Sequence, residues 1–187
     1  MSKLAVSEFV TIDGVFEDPG GGEGVEYGGW AFKFDRGPEG DEFKFDELMA
    51  AGAMLLGRVT YEGFARAWPA MDANEFGKKM NSMPKFVFSS TLENPEWNNS
   101  RVIRGDLGER VAEIKQQVEG DILVAGSGQL VRGLADLALV DEYRLMVFPT
   151  ALGAGKRLFD GVAASIELRL QDARPAGETT ILTYVPR

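Results

Sequence analysis

The chain has 187 residues, 44% of them hydrophobic and 26% charged, so one sizeable core and a single domain spanning 1–187 are expected. A formal net charge of −9 argues against nucleic acid or an anionic membrane as the main partner, while leaving room for a local basic pocket. Cysteine and histidine are both absent, which excludes disulfides, thiolate chemistry, Ser-His-Asp triads and the usual zinc ligands, so no metal is expected.

In chain order, Lys3 to Ile12 is rich in β-formers and reads as a strand closed by an Asp13-Gly14 turn. Glu17 to Gly40 is dense in glycine and acids, yet carries Tyr27, Trp30, Phe32 and Phe34. Aromatics in a long loop suit a lid or pocket wall. Asp41 to Ala51 reads as a helix, Ala53 to Leu56 as a strand and Tyr61 to Ala67 as a helix. A short helix near Asn74 to Met80 follows, then a strand at Lys85 to Phe88 and a turn-rich stretch from Glu93 to Ser100. Arg101 to Ile103 is a short strand, and Leu107 to Val118 is an amphipathic helix with Val111, Ile114 and Val118 on one face. Asp121 to Ala125 is a buried strand that runs into Gly126-Ser127-Gly128, and Gln129 to Ala138 is helical.

Beyond that point the pattern changes. Asp141 to Phe148 is a strand, and Ile166 to Ala173 and Thr179 to Val185 form an antiparallel hairpin around Pro175-Ala176-Gly177. Strand–helix units followed by antiparallel strands imply an α/β domain with a mixed, mostly parallel central sheet. No signal-peptide pattern or apolar run of membrane length occurs, so a cytoplasmic protein is expected.

Three strand ends carry related chemistry: Gly57-Arg58-Val59-Thr60, Ser89-Ser90-Thr91 and Gly126-Ser127-Gly128-Gln129. Ligands of open α/β sheets sit outside the carboxyl ends of strands. Glycine lets backbone approach a phosphate, an arginine offers a fork of donors, and a helix N-terminus attracts an anion. Thr60 either caps the helix or meets the same anion. No Walker loop occurs, and Val131 stands where a Rossmann fingerprint has its third glycine. The set is therefore either a nucleotide site of another arrangement or three ordinary turns.

Leu55-Leu56-Gly57-Arg58-Val59-Thr60-Tyr61-Glu62, Lys85 through Leu92, and Gly126-Ser127-Gly128-Gln129-Leu130 together resemble the three successive cofactor motifs of the dihydrofolate reductase superfamily. Asp141 through Leu145 and Pro149 through Phe159 are more similar to its bacterial branch around the reductase domain of the riboflavin-biosynthesis enzyme RibD. The resemblance implies a dihydrofolate reductase-like three-layer fold and an NADPH-dependent reductase. Gly57, Arg58, Val59 and Thr60 would then meet the cofactor phosphates, Ser89 and Ser90 the adenosine side, and Gly126, Ser127, Gly128, Gln129 and Leu130 the diphosphate and nicotinamide end. Dihydrofolate reductases have a cis Gly-Gly bond in that last turn, so a cis Gly126–Ser127 bond is expected. Arg58 with the Ser89-Ser90 pair favours NADPH over NADH, because a 2′-phosphate needs a cation and donors.

The resemblance also implies a carboxylate on the helix before the Gly-Arg strand. Asp41 is the ungapped match, and Asp46 or Glu47 serves if the register shifts; all three are equally readable as solvated helix acids. Asp13 is a further pocket candidate or a plain turn residue, and Trp30 and Phe34 are a pocket floor or loop anchors. The expected substrate is a small heterocycle with a C=N or C=O group, dihydrofolate-like or riboflavin-precursor-like. A non-catalytic nucleotide-binding module and an oligomeric scaffold are the alternatives. A homodimer through Tyr143 to Phe148 and Ile166 to Leu170 is compatible with each.

Overall fold

The computed structural model describes residues 2–187. In chain order the elements are β1 (Leu4–Thr11), α1 (Gly37–Ala50), β2 (Ala51–Gly57), α2 (Arg58–Ala67), α3 (Glu75–Ser82), β3 (Lys85–Phe88), β4 (Ser100–Ile103), α4 (Leu107–Gln117), β5 (Asp121–Val124), α5 (Gly128–Asp136), β6 (Glu142–Phe148), β7 (Leu168–Ala176) and β8 (Thr179–Pro186). They form one eight-stranded sheet in the order β4-β3-β2-β5-β1-β6-β8-β7. The pairs from β4 through β6 are parallel, and β6–β8 and β8–β7 are antiparallel. The expected mixed sheet and closing hairpin are both present.

The sheet is covered on both faces. Leu4, Val6, Val10 and Val124 pack with Val111 and Ile114 of α4 and Leu130, Val131 and Leu134 of α5. On the other face Ala5, Leu48, Met54, Leu56, Tyr61, Met80, Val87 and Trp97 form a second cluster. Each such large side chain contributes about 1.5–3 kcal/mol of burial free energy. A third cluster joins Trp30 of the β1–α1 connection to Met146, Phe148 and Ile181, with Phe9 and Phe34 beside it.

Two expectations about elements need correction. The stretch before Gly40 is not wholly irregular: Trp30–Lys33 is a 3-10 turn and α1 already starts at Gly37. Pro38 accounts for the early start, since its fixed φ suits the first helical turn and its missing N–H is not needed there. In addition, Tyr143 to Phe148 lies inside the sheet between β1 and β8, so it cannot serve as a dimer edge. The outer strand is β7, with Leu170 50% exposed. Among the described residues no helix is long and apolar enough to cross a membrane.

The β1–β5 ladder covers only Leu4–Val6 against Ile122–Val124, whereas β1–β6 runs from Ala5 to Thr11. β5 ends at Val124 while β1 runs on to Thr11, so β1 loses that neighbour at the carboxyl ends of the parallel strands, the place where open α/β sheets form a ligand crevice.

Candidate functional site

Two turns are locked together at the mouth of that crevice. The amide of Gly57, the last residue of β2, donates to Ser127 Oγ at 2.9 Å. The amide of Ser127 donates to Thr60 Oγ1 at 2.7 Å, and Ser127 Oγ donates to the Ala125 carbonyl at 3.1 Å. Thr60 therefore does not cap α2; it sits inside the helix and reaches across to the other turn.

The expected cis Gly126–Ser127 bond is absent: the chain between them is trans, and the turn is made by two successive left-handed residues, with φ of 56° and 58°. Glycine adopts that conformation freely, while serine pays about 1–2 kcal/mol for it. The hydrogen bonds of Ser127 to Gly57, Thr60 and Ala125 hold it there.

The other expected cofactor residues are placed unequally. Val59 is exposed beside Arg58 at the start of α2. Arg58 is half exposed and pairs with Glu62 at 2.9 Å, one helical turn away. Gln129 is exposed, but Leu130 is buried in the core beneath α5. Ser89 is buried, and its hydroxyl accepts the amides of Thr91 (3.2 Å) and Leu92 (3.0 Å), so it shapes its own turn. Ser90 is exposed next to it. Arg104 was missed from sequence: it follows β4 and its guanidinium donates to the Leu92 carbonyl at 2.6 Å, which holds a cation beside that turn. An arginine directly after a strand was the available signal.

The candidate acids fall into separate places. Asp41 is exposed on the outside of α1 and pairs with Arg36. Asp46 and Glu47 line a cleft of about 580 Å³ with Asp121, Glu142 and Arg144. Asp121 and Glu142 open β5 and β6, so this cleft lies at the amino ends of the strands, opposite the crevice. Glu47 is buried there, accepting from Ser7 Oγ at 2.8 Å and pairing with Lys44. Hence Asp41, Asp46 and Glu47 are not brought together with Gly57 and Ser127.

Asp13 is a clasp. Its carboxylate accepts from the Thr11 hydroxyl and from the amides of Gly153 (2.8 Å) and Leu152 (3.3 Å), and these donors hold it below the usual carboxylate range. Trp30 is fully buried, donating Nε1–H to the Glu17 carbonyl at 2.9 Å and meeting Phe148 edge-on at 5.3 Å. Phe34 lies partly exposed against the same ring at 6.3 Å. Trp30 thus anchors the loop, and Phe34 is the more exposed of the two.

Glu8 was also missed. It lies on β1 just past Val6, where the β1–β5 ladder has ended, and is 6% exposed. Among the described residues its Oε1 has no hydrogen-bond partner, and the Gly126 amide faces its carboxyl. Burial pushes this carboxyl well above its ordinary range. The signal was an acid inside a strand whose other residues read as buried.

The residues at the crevice fit a dinucleotide in kind. Two helix N-termini open beside it, at Arg58 and Gly128, and the backbone between them is lined by Gly57 and Gly126. A β-carbon at Gly126 would come within 2.7 Å of Thr60 Oγ1, so the turn tolerates no side chain there. Arg58 and Arg104 supply cationic donors at either side.

Residues 2–182 match the RibD C-terminal domain. The chain is 32% identical over 133 residues to the uncharacterized protein YyaP of Bacillus subtilis, covering 69% of this chain and 70% of that protein. A solved protein of Shewanella sp. PV-4, provisionally assigned to riboflavin biosynthesis, superposes with a TM-score of 0.79 at 19% identity, over 99% of both chains. Dihydrofolate reductase from Enterococcus faecalis, solved with NADP(H), superposes with a TM-score of 0.58 at 15% identity, over 99% of this chain and 96% of that one.

Proposed function

The chain belongs to the RibD C-terminal domain family, and on that premise we propose that it is an NADPH-dependent reductase acting on a small pyrimidine- or pteridine-like heterocycle. The observation that carries this reading is the pair of locked turns, Gly57–Thr60 and Gly126–Gly128, at the mouth of the β1–β5 crevice. The dihydrofolate reductase of similar fold was solved with the same class of cofactor.

In this reading the free amides at the starts of α2 and α5 hold the diphosphate, with Arg58 beside them. Ser90 and Arg104 take the adenosine side, where the 2′-phosphate needs a cation. When bound, the cofactor supplies a hydride. The protein aligns the acceptor carbon against it and keeps water out.

Fluorescence titration of the purified protein with NADPH and, in parallel, NADH tests the reading without a known substrate. Saturable binding that favours NADPH is expected, and turnover follows from a screen starting with dihydrofolate and ribosylated aminopyrimidines. Failure to bind either nucleotide would overturn it.

A homodimer through β7 belongs to the same proposal, because β7 is the outer strand of the sheet and bears the half-exposed Leu170. Light scattering should give twice the 20.4 kDa subunit mass; a single subunit mass rejects the dimer.

A further inference from the structure

A carboxylic acid in a β-strand core is costly unless it is paired or neutral. Among the described residues Glu8 has no ion-pair partner and its Oε1 no hydrogen bond, and it is 6% exposed. It sits where β1 has lost its β5 neighbour, and its carboxyl faces the Gly126 amide, the first residue of the turn that closes the crevice. The other candidate acids are committed: Asp13 is held by loop amides, Asp41 is solvated and paired with Arg36, Asp46 lines the cleft at the amino ends of the strands, and Glu47 is taken by Ser7 and Lys44. With no histidine in the chain, the commonest proton donor for a reduced heteroatom is missing, and a protonated carboxyl can supply that proton.

We propose that Glu8 is the acid of this crevice, giving its carboxyl proton to the nitrogen or oxygen of the substrate as the adjacent carbon is reduced. The proposal rests on the reductase reading above. The substrate carbon gains a hydride from the dihydronicotinamide cofactor, so a C–H bond forms and the C=N or C=O π pair moves onto nitrogen or oxygen. That atom takes the proton from Glu8, whose O–H bond breaks. The carboxylate left behind is reprotonated from solvent before the next turnover.

The charged groups that reach Glu8 are Lys44, which favours its ionised form, and Glu47, which opposes it, both from α1. The β5–α5 turn presents the Gly126 amide, and β6 places Leu145 in register with Glu8. Burial is the largest of these influences and favours the protonated carboxyl, the form that can donate.

The test is a carbon NMR titration of protein labelled at the glutamate carboxyl carbons, comparing wild type with Glu8→Gln. One resonance, missing from the variant, should keep its protonated shift at about pH 7, where ordinary glutamates are ionised. The same resonance should move when NADPH saturates the protein. A Glu8 resonance that has already ionised by about pH 6 overturns the proposal even if NADPH binds, as does one that ignores bound NADPH. Absence of NADPH binding by the wild type instead defeats the reductase reading. With whichever substrate the screen supplies, Glu8→Gln should lower kcat by about 10²–10⁴-fold, the usual span for a general acid. Glu8→Asp should recover part of that rate; an undiminished kcat in Glu8→Gln overturns the assignment.

Discussion

The Phe16 ring stands against the α-carbon of Gly128: a β-carbon at position 128 would lie 2.3 Å from Phe16 Cζ and 3.1 Å from Cε1. Gly128 has an ordinary negative φ, so close approach and not backbone conformation requires glycine there. The glycine that reads in sequence as a phosphate contact is thus also the seat of a loop aromatic. Gly128→Ala should push Phe16 away and cost about 1–3 kcal/mol of stability by overpacking. Gly128→Ala combined with Phe16→Ala should show coupling in a double-mutant cycle of chemical denaturation, since the second substitution removes the clash. Additive losses would mean that the ring does not rest on Gly128 in solution.

Ser127 satisfies the Gly57 amide while its own amide is satisfied by Thr60. Ser127→Ala leaves the Gly57 donor without its partner and should destabilise by about 1–3 kcal/mol. Ser127→Gly loses the same bond but relieves the left-handed strain, so its loss should be smaller. Equilibrium denaturation of both variants measures this. NADPH affinity should fall in each, because the two turns lose their relative position.

Arg58 and Glu62 form an exposed pair one turn apart, worth at most about 0.5 kcal/mol. Arg58→Ala should therefore leave the melting temperature nearly unchanged but weaken NADPH more than NADH. Equal weakening of the two nucleotides would remove Arg58 from recognition of the 2′-phosphate. Glu62→Gln frees the guanidinium and should tighten NADPH binding, most visibly at low salt.

The loop clasp should fail in acid. Thr11 and the Gly153 amide hold Asp13 low, and Lys156 with Tyr27 does the same for Glu17. For a lowered carboxyl, the stabilisation is present above the unfolded value, about 3.9 for Asp and 4.3 for Glu, and is lost as pH falls through the folded value. Glu8 acts with the opposite sign: its raised carboxyl contributes below the unfolded value, and that contribution is lost as pH rises through the folded one. Melting temperature against pH should flatten on the acid side in Asp13→Asn with Glu17→Gln. In Glu8→Gln the decline above about pH 4.3 should flatten instead. An unchanged profile in either variant would contradict the corresponding assignment.

Much of the fold was legible because it rests on local signals. The apolar run Ala53 to Leu56 ending at Gly57, the alternating hairpin strands, and the stripe of Val111 and Ile114 on α4 each report a nearby periodicity. The early start of α1 was obscured by the glycines before Pro38, whose role depends on the loop packing around them. Ser89 looked like a nucleotide ligand because a hydroxyl pattern does not reveal whether its partner is a ligand or its own turn. Glu8 was passed over because an acid in a strand is ordinarily exposed on one face, and the chain alone does not say that both faces of β1 are covered.

By itself, then, the sequence determined the α/β class, the order of the strand ends, the absence of histidine and thiol chemistry, and the glycine and hydroxyl turns that mark the family. Those properties follow from composition, from periods of two and of about three and a half residues, and from turn chemistry, all of which act over a few neighbouring positions. Tertiary structure alone decided that Gly57, Thr60 and Ser127 form one hydrogen-bonded unit, that Asp41 and Glu47 stay apart from it, and that Glu8 faces Gly126. Hydrogen bonding and desolvation are set by groups about seventy or more positions away in the chain, brought close only when β1, β2 and β5 take their places in the sheet.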